Sequence, residues 1–503
     1  MKGKIAITSI IFILATLVLK ITGLLRDIVV AYYFGDSYQA DAYLAAFIIP
    51  NMLFLFLTTG MKNAFVPQYI ESLEQNRSRK LFNQIWKATG ITSLLFAILG
   101  ICLSPIILPL VYANFEEVAL EITIHVTMIF MSALVFVGIN AVLEAYLDAE
   151  NRYTLSIISQ NIVLITMITS AILFVPEIGT YALAIGYLAG TIISLLFKLF
   201  FIIPKKIIKI TDKIDFPEVK SFFIILFPVA ITVMVGQVNL AVDNIFASYF
   251  EEGVVTYINY AKNLVHFPQS IFGVTIGTIV FPLIAKAYAK QDIEGFKAGT
   301  ERGLTVMFYV LLPAIVGMLL LMPTIIQLLF ERGAFDQAAT IATSKVAYYY
   351  AGSVLFFSLN IMINNGLYTI KKGHLIMMIG LFSIVLNAIC NLILTNWMGY
   401  VGIPLASSIV GLSYAGTCYL VFRKHVGPLV SKVFVKESLK VMLAVGVMAG
   451  GIILLRSSLP PISAIIDLIL SVSTGVVVYL VCSYVLKIKS FQFLLKHVKR
   501  TEG

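Results

Sequence analysis

The sequence predicts an all-α polytopic membrane protein with 14 transmembrane helices: two six-helix lobes forming a parallel internal repeat, plus a C-terminal helix pair. Three observations predict it. Apolar stretches of about 20 residues, enough for one bilayer crossing, recur along all 503 residues. Only 12% of residues are charged and the mean hydropathy is +0.95, against about 25% charged in an ordinary soluble protein. The segments of the first half have counterparts in the second.

The spans are read at about 5–33, 38–62, 86–112, 119–147, 153–175, 180–203, 220–250, 256–286, 304–330, 338–369, 374–396, 400–423, 438–457 and 465–487. The first follows Met1-Lys2-Gly3-Lys4 and runs to about Phe34 with no small-residue cleavage site, so it is read as a retained span. Several exceed the bilayer minimum, so tilt or extension beyond the lipid is expected.

With the N-terminus placed in the cytoplasm, about 29 of the 36 Lys and Arg fall on the inner side, including Lys198, Lys205, Lys206, Lys209 and Lys213. The outer loops carry Glu116, Glu117, Glu177, Glu251 and Glu252. This is the positive-inside pattern. It accounts for the net charge of +10 without nucleic acid, and it puts both termini in the cytoplasm. Cys102, Cys390, Cys418 and Cys482 all lie in apolar segments and read as small buried hydrophobes.

The repeat offset is near 215–220. DIVVAYYF (27–34) pairs with DNIFASYF (243–250), Pro50 with Pro268, AFVP (64–67) with IVFP (279–282), and the Asn140–Arg152 spacing with Asn360–Lys372. Both copies begin on the same side, so the repeat is parallel. The expected division is an N-terminal lobe over 1–203, a basic cytoplasmic linker over 204–219, a C-terminal lobe over 220–425, and the last pair with a basic tail over 426–503. Transporters with such repeats hold substrate between the halves near the midplane.

Charged residues inside spans are costly and point to function. Lys20, Gly23 and Asp27 share one helical face, flanked by Arg26. Asp41 opens helix 2 and Lys62 closes it, while Lys262 and His266 are one turn apart on helix 8. A cavity lined by Lys20, Arg26, Lys62 and Lys262 would be cationic and suited to phosphate. Asp27 and Asp41 have a second reading, as partners that hold helices 1 and 2 together. No HExxH or GxxxxGKS/T motif occurs, so neither a zinc-protease site nor a nucleotide-driven pump is indicated.

GLLRD (23–27), AFVPQY (64–69), FPQSIFGVTIGTIVFPLIAK (267–286) and LLFERGAFD (328–336) resemble the MurJ (MviN) family of lipid II flippases. That family sits in the superfamily of multidrug, oligosaccharidyl-lipid and polysaccharide exporters. The resemblance implies a transporter, not an enzyme, which moves undecaprenyl-pyrophosphate-linked peptidoglycan precursor from the inner to the outer leaflet of the bacterial cytoplasmic membrane by alternating access. It implies substrate roles for Arg26, Asp27, Asp41 and Lys20, the last standing where the family usually has arginine, and a cation set of Asp243, Asn387, Asn391 and Ser407; Lys62, Lys262 and His266 join the expected substrate set from the reading of charges within the spans. No cofactor is expected, and coupling to Na+, to H+ or to the membrane potential stays open. Lipid-linked oligosaccharide and membrane lipids are the expected partners, and a monomer the expected state.

Departures from the family pattern are Phe54 and Leu55, where paired arginines are usual, Asn263 in place of an arginine beside Lys262, and Asn391 in place of a carboxylate. Lys62, seven residues past Leu55, is a candidate to replace the lost charge. The departures keep open a flippase for another polyprenyl-linked oligosaccharide. A drug exporter would favour a less cationic cavity. A membrane glycan polymerase would need a convergent acid–base pair.

Overall fold

The computed structural model describes residues 2–204, 207–208, 214–429, 431–460 and 462–492. Seven of the sixteen residues of the expected linker, 205–206 and 209–213, lie outside this set, Lys205, Lys206, Lys209 and Lys213 among them, and so do Lys496, Lys499 and Arg500. The described residues are helical with no strand. In lipid this is forced, because every backbone polar group must find its partner within the chain. Among the described residues, eleven helical stretches are long and apolar enough to cross a membrane, counting Gly373–Val426 as one.

The chain divides into two compact units, the first of residues 1–256 with 333–335, the second of 257–332 with 336–503. In the first unit the helices are α1 (Lys2–Phe34), α2 (Tyr38–Glu74), α3 (Ser78–Val111), α4 (Glu117–Ala149), α5 (Tyr153–Ile178), α6 (Tyr181–Phe197) and α7 (Phe216–Ala247). Helix α4 is its centre, packing against α2, α3 and α6, and two-thirds of its most apolar window is buried. Helices α5 and α6 pack backbone to backbone: a Cβ on Gly186 would lie 2.9 Å from the Met167 Cα, and one on Gly190 2.9 Å from the Val163 Cα. Small residues four apart are the usual device where lipid offers no hydrophobic drive for helix pairing.

The loop Gly333–Phe335 returns to the first unit. Gly35 (φ 56°) and Gly333 (φ 63°) turn the backbone into the left-handed region, and the Ala334 N–H donates to the Tyr32 carbonyl at 2.9 Å. The GAF stretch over 333–335 is therefore a turn held against the end of α1.

The second unit contains α8 (Val254–Val265, its first turn in the other unit), α9 (Val274–Ala289), α10 (Ile293–Leu320), α11 (Met322–Phe330), α12 (Gln337–Thr369), α13 (Gly373–Met398), α14 (Gly402–Val426), α15 (Lys432–Ser458) and α16 (Ala464–Val485). Helices α12 and α14 pack on each other, and α10 carries the last pair. Tyr309 meets Val445, Met448 and Tyr479 there, and the Tyr479 hydroxyl donates to the Tyr309 carbonyl at 2.7 Å. Arg456 ties the pair down, 3.0 Å from Asp467 and 3.1 Å from the Leu320 carbonyl.

Three of the expected helices differ most from those found. Helix 2 does not end at Lys62 but runs to Glu74, with Pro50 and Pro67 inside it. At 37 residues it is about 55 Å long, so Lys62 is a mid-helix residue. The expected helix over 256–286 is broken near Pro268 by a π-helical turn, Gln269–Gly273. The stretch over 304–330 is broken at Leu321, where Pro323 begins α11. In the latter two, proline removes a backbone donor and ends the regular ladder.

Candidate functional site

At the start of α2 two acidic side chains meet two helix N-termini. The Asp41 carboxylate accepts from the Gly253 N–H (2.8 Å), the Thr256 N–H (2.8 Å) and the Thr256 hydroxyl (2.6 Å). Glu252 in turn accepts from the Tyr38 N–H at 2.6 Å. Each carboxylate thus satisfies amides that a helix start leaves unpaired, at its electropositive end. Asp41 and Thr256 are 215 residues apart in the sequence, and both belong to the first unit.

Deeper in the first unit lies a buried charge network. Lys198 is completely buried, and its ammonium sits 2.9 Å from Glu144 Oε1. Gln160 donates to Glu144 Oε2 at 2.7 Å. The Lys62 ammonium is 3.6 Å from Glu144, 3.1 Å from Asp148 and 3.2 Å from the Ser156 hydroxyl. Two ammonium groups thus face two carboxylates, which is how charge survives away from water. A cavity of about 420 Å³ opens beside the network, walled by Asn51, Phe54, Lys62, Asn140, Gln160 and Tyr187 among others.

The other expected substrate residues fall as follows. Arg26 forks onto its neighbour Asp27, with Nε at 3.0 Å and Nη2 at 2.6 Å from Oδ1, and Asp27 is buried. Lys20 is exposed on α1. In the second unit the Lys262 ammonium lies 5.8 Å from the centre of the Tyr350 ring, within cation–π range. His266 is bonded through Nδ1 to Gln269 (2.7 Å) and through Nε2 to Ser353 (3.3 Å). Of the expected cation set, Asp243 is buried in the first unit, while Asn387, Asn391 and Ser407 are buried in the second. The Asn391 amide is 3.5 Å from Asn387 Oδ1. No group of three or more His, Cys, Asp and Glu among the described residues is placed to hold a metal.

Outside the spans, Lys80 pairs with Asp215 at 2.7 Å at the mouth of a second polar pocket. That bond holds the Asp215 carboxyl below its usual range.

A family model described as lipid II flippase MurJ matches residues 30–473. The chain belongs to the lipid II flippase MurJ family. Among named MurJ proteins, it is 26% identical over 424 residues to the "Probable lipid II flippase MurJ" of Vibrio cholerae, covering 80% of each chain. It is 24% identical over 424 residues to the "Lipid II flippase MurJ" of Burkholderia cenocepacia, covering 82% of each. A solved structure of lipid II flippase MurJ in an inward closed conformation superposes with a TM-score of 0.80 at 25% identity, over 95% of this chain and 98% of that one. An inward-facing MATE multidrug transporter superposes with a TM-score of 0.68 at 15% identity, over 82% of this chain and 95% of that one, and so shares the fold.

Three of the residues that depart from the family pattern acquire contexts here. Phe54 stacks on Tyr187, ring centres 5.2 Å apart and planes 17° apart. Leu55 lines the same cavity, and Asn263 is exposed on α8. Lys62, the candidate replacement, is held by two carboxylates.

Sequence reasoning missed Glu144, Asp148 and Lys198. It counted Lys198 with the cytoplasmic cations, whereas the structure buries it. The signal was present: Glu144 and Asp148 are four apart on a buried helix, and Lys198 interrupts the apolar run around LLFKLFF. Which cation belonged with which carboxylate required the packing of α2, α4 and α6.

Proposed function

We propose that this protein carries lipid II from the inner to the outer leaflet of the bacterial cytoplasmic membrane by alternating access. The observation that carries the reading is the MurJ family match across residues 30–473. In this reading the chain crosses the membrane 14 times, α8 with α9 and α10 with α11 each serving as one crossing. The crossings group as two six-helix lobes and a final pair, with both termini cytoplasmic. Arg26 and Lys20 of the first unit neutralise the diphosphate, since guanidinium and ammonium groups satisfy phosphate oxygens. Asp27 orients Arg26. The Asp41 cap on α8 is released when the outer end opens. Transport draws on an ion gradient or the membrane potential.

A second reading, a flippase for another polyprenyl-linked oligosaccharide, is favoured by Phe54 and Leu55 standing where paired arginines are expected. Complementation decides between them. The intact gene restores growth and peptidoglycan export to a bacterium depleted of its own MurJ, and Arg26→Ala or Asp27→Ala, expressed at equal level, does not. If the intact gene fails to rescue and co-purified lipid carries a different glycan, the second reading stands. If both variants grow normally, the diphosphate assignment falls.

A further inference from the structure

The cavity beside the Lys62–Glu144 network differs chemically from a phosphate site. Its charged members are already neutralised, Lys62 by Glu144 and Asp148, and Glu144 also by Lys198. An arriving phosphate would meet the Glu144 carboxylate as well as the Lys62 ammonium. The remaining wall is neutral, polar and aromatic. The Asn51 amide and the Thr59 hydroxyl line the cavity and make no side-chain hydrogen bond to any described residue. Gln160 spends its N–H on Glu144, which fixes the amide so that Oε1 is the open acceptor, and that oxygen is likewise unpartnered within the described residues. The stacked Phe54 and Tyr187 rings supply an apolar face. Open amide and hydroxyl groups next to a ring pair match a ligand that is uncharged, rich in O–H and N–H, and apolar on one face. At about 420 Å³ the cavity falls in the size range of small-molecule sites.

We propose that this cavity of the N-terminal unit is the saccharide subsite, in which Asn51, Thr59 and Gln160 hydrogen-bond a sugar ring laid against Phe54 and Tyr187, while the diphosphate is held elsewhere. The inference rests on the lipid-linked saccharide reading above and adds a division of labour within the headgroup. Asn51 is the residue to change, because its amide has no hydrogen-bond partner among the described residues to lose.

The test uses full-length protein in nanodiscs and two lipids: undecaprenyl diphosphate, and the same lipid carrying an N-acetylated disaccharide. Wild type binds the sugar-bearing lipid more tightly. Asn51→Leu and Phe54→Leu each weaken that binding by about tenfold, the worth of one lost hydrogen bond or a comparable packing contact, and leave undecaprenyl diphosphate binding unchanged. Free disaccharide competes with the sugar-bearing lipid on wild type and loses that ability on Asn51→Leu. Equal weakening for both lipids, or none for either, overturns the subsite. If wild type binds both lipids equally well, the subsite falls while the flippase reading survives. If wild type binds neither, the parent reading falls and takes the subsite with it.

Discussion

Removing Lys198 should cost far more than removing Lys198 and its partner together. In Lys198→Met the Glu144 carboxylate stays buried and loses its closest cation, the ammonium at 2.9 Å. It keeps Lys62 at 3.6 Å and the Gln160 amide at 2.7 Å. In Glu144→Gln the completely buried Lys198 ammonium loses its paired carboxylate. Breaking a buried pair from one side costs about 3–5 kcal/mol, whereas replacing both charges by uncharged groups of similar size is close to neutral. Unfolding entropy of about 2.1 cal/mol/K per residue gives roughly 1 kcal/mol/K for a chain of 503 residues. Each single variant should then melt about 3–5 °C lower, and the double variant within about 2 °C of wild type. Thermal unfolding of detergent-purified protein, followed by size-exclusion fluorescence, reads all four corners of the cycle. A double variant that falls by the sum of the two singles refutes the pairing.

Three further outcomes are expected. Asp41→Asn keeps one acceptor oxygen and Asp41→Ala keeps none, so hydrogen exchange at the Gly253 and Thr256 amides should rise in the order wild type, Asn, Ala; unchanged exchange in the alanine variant would remove the cap. Gly190→Ala forces α5 and α6 apart and should destabilise by about 1–3 kcal/mol, while Gly416→Ala, with nothing within 4 Å of the new methyl, should be neutral or stabilising by up to about 1 kcal/mol; equal melting shifts would contradict the close packing. Arg456→Met, which frees α15 and α16 from the ends of α10 and α11, should speed proteolysis between 459 and 463 with little change in melting temperature, because a partly exposed ion pair is worth about 1 kcal/mol or less.

Membership in an all-helical membrane class and the rough position of most long apolar helices were legible in the chain, because each is a one-dimensional property. Hydropathy windows need no partner to be read. Helix ends were less legible. Pro67 lies inside α2, which runs on through it to Glu74, whereas Pro268 and Pro323 coincide with breaks. Whether neighbours re-satisfy the freed carbonyls is a matter of packing.

The same limit held at the candidate site. Sequence flagged Arg26, Asp27, Asp41 and Lys62 as charges too costly to leave in lipid. Tertiary structure decided their partners: Asp41 reaches amides more than 200 residues away, and Lys62 belongs to Glu144 and Asp148. It also brought together Asn51, Gln160 and Tyr187 from three different helices around one cavity. By itself the sequence determined that these charges must be sheltered, since desolvation energy depends only on residue type and on the apolar run around it. What shelters them was set by the fold, because ion pairs and hydrogen bonds act over about 3 Å, and only chain packing brings residues so far apart in sequence to that distance.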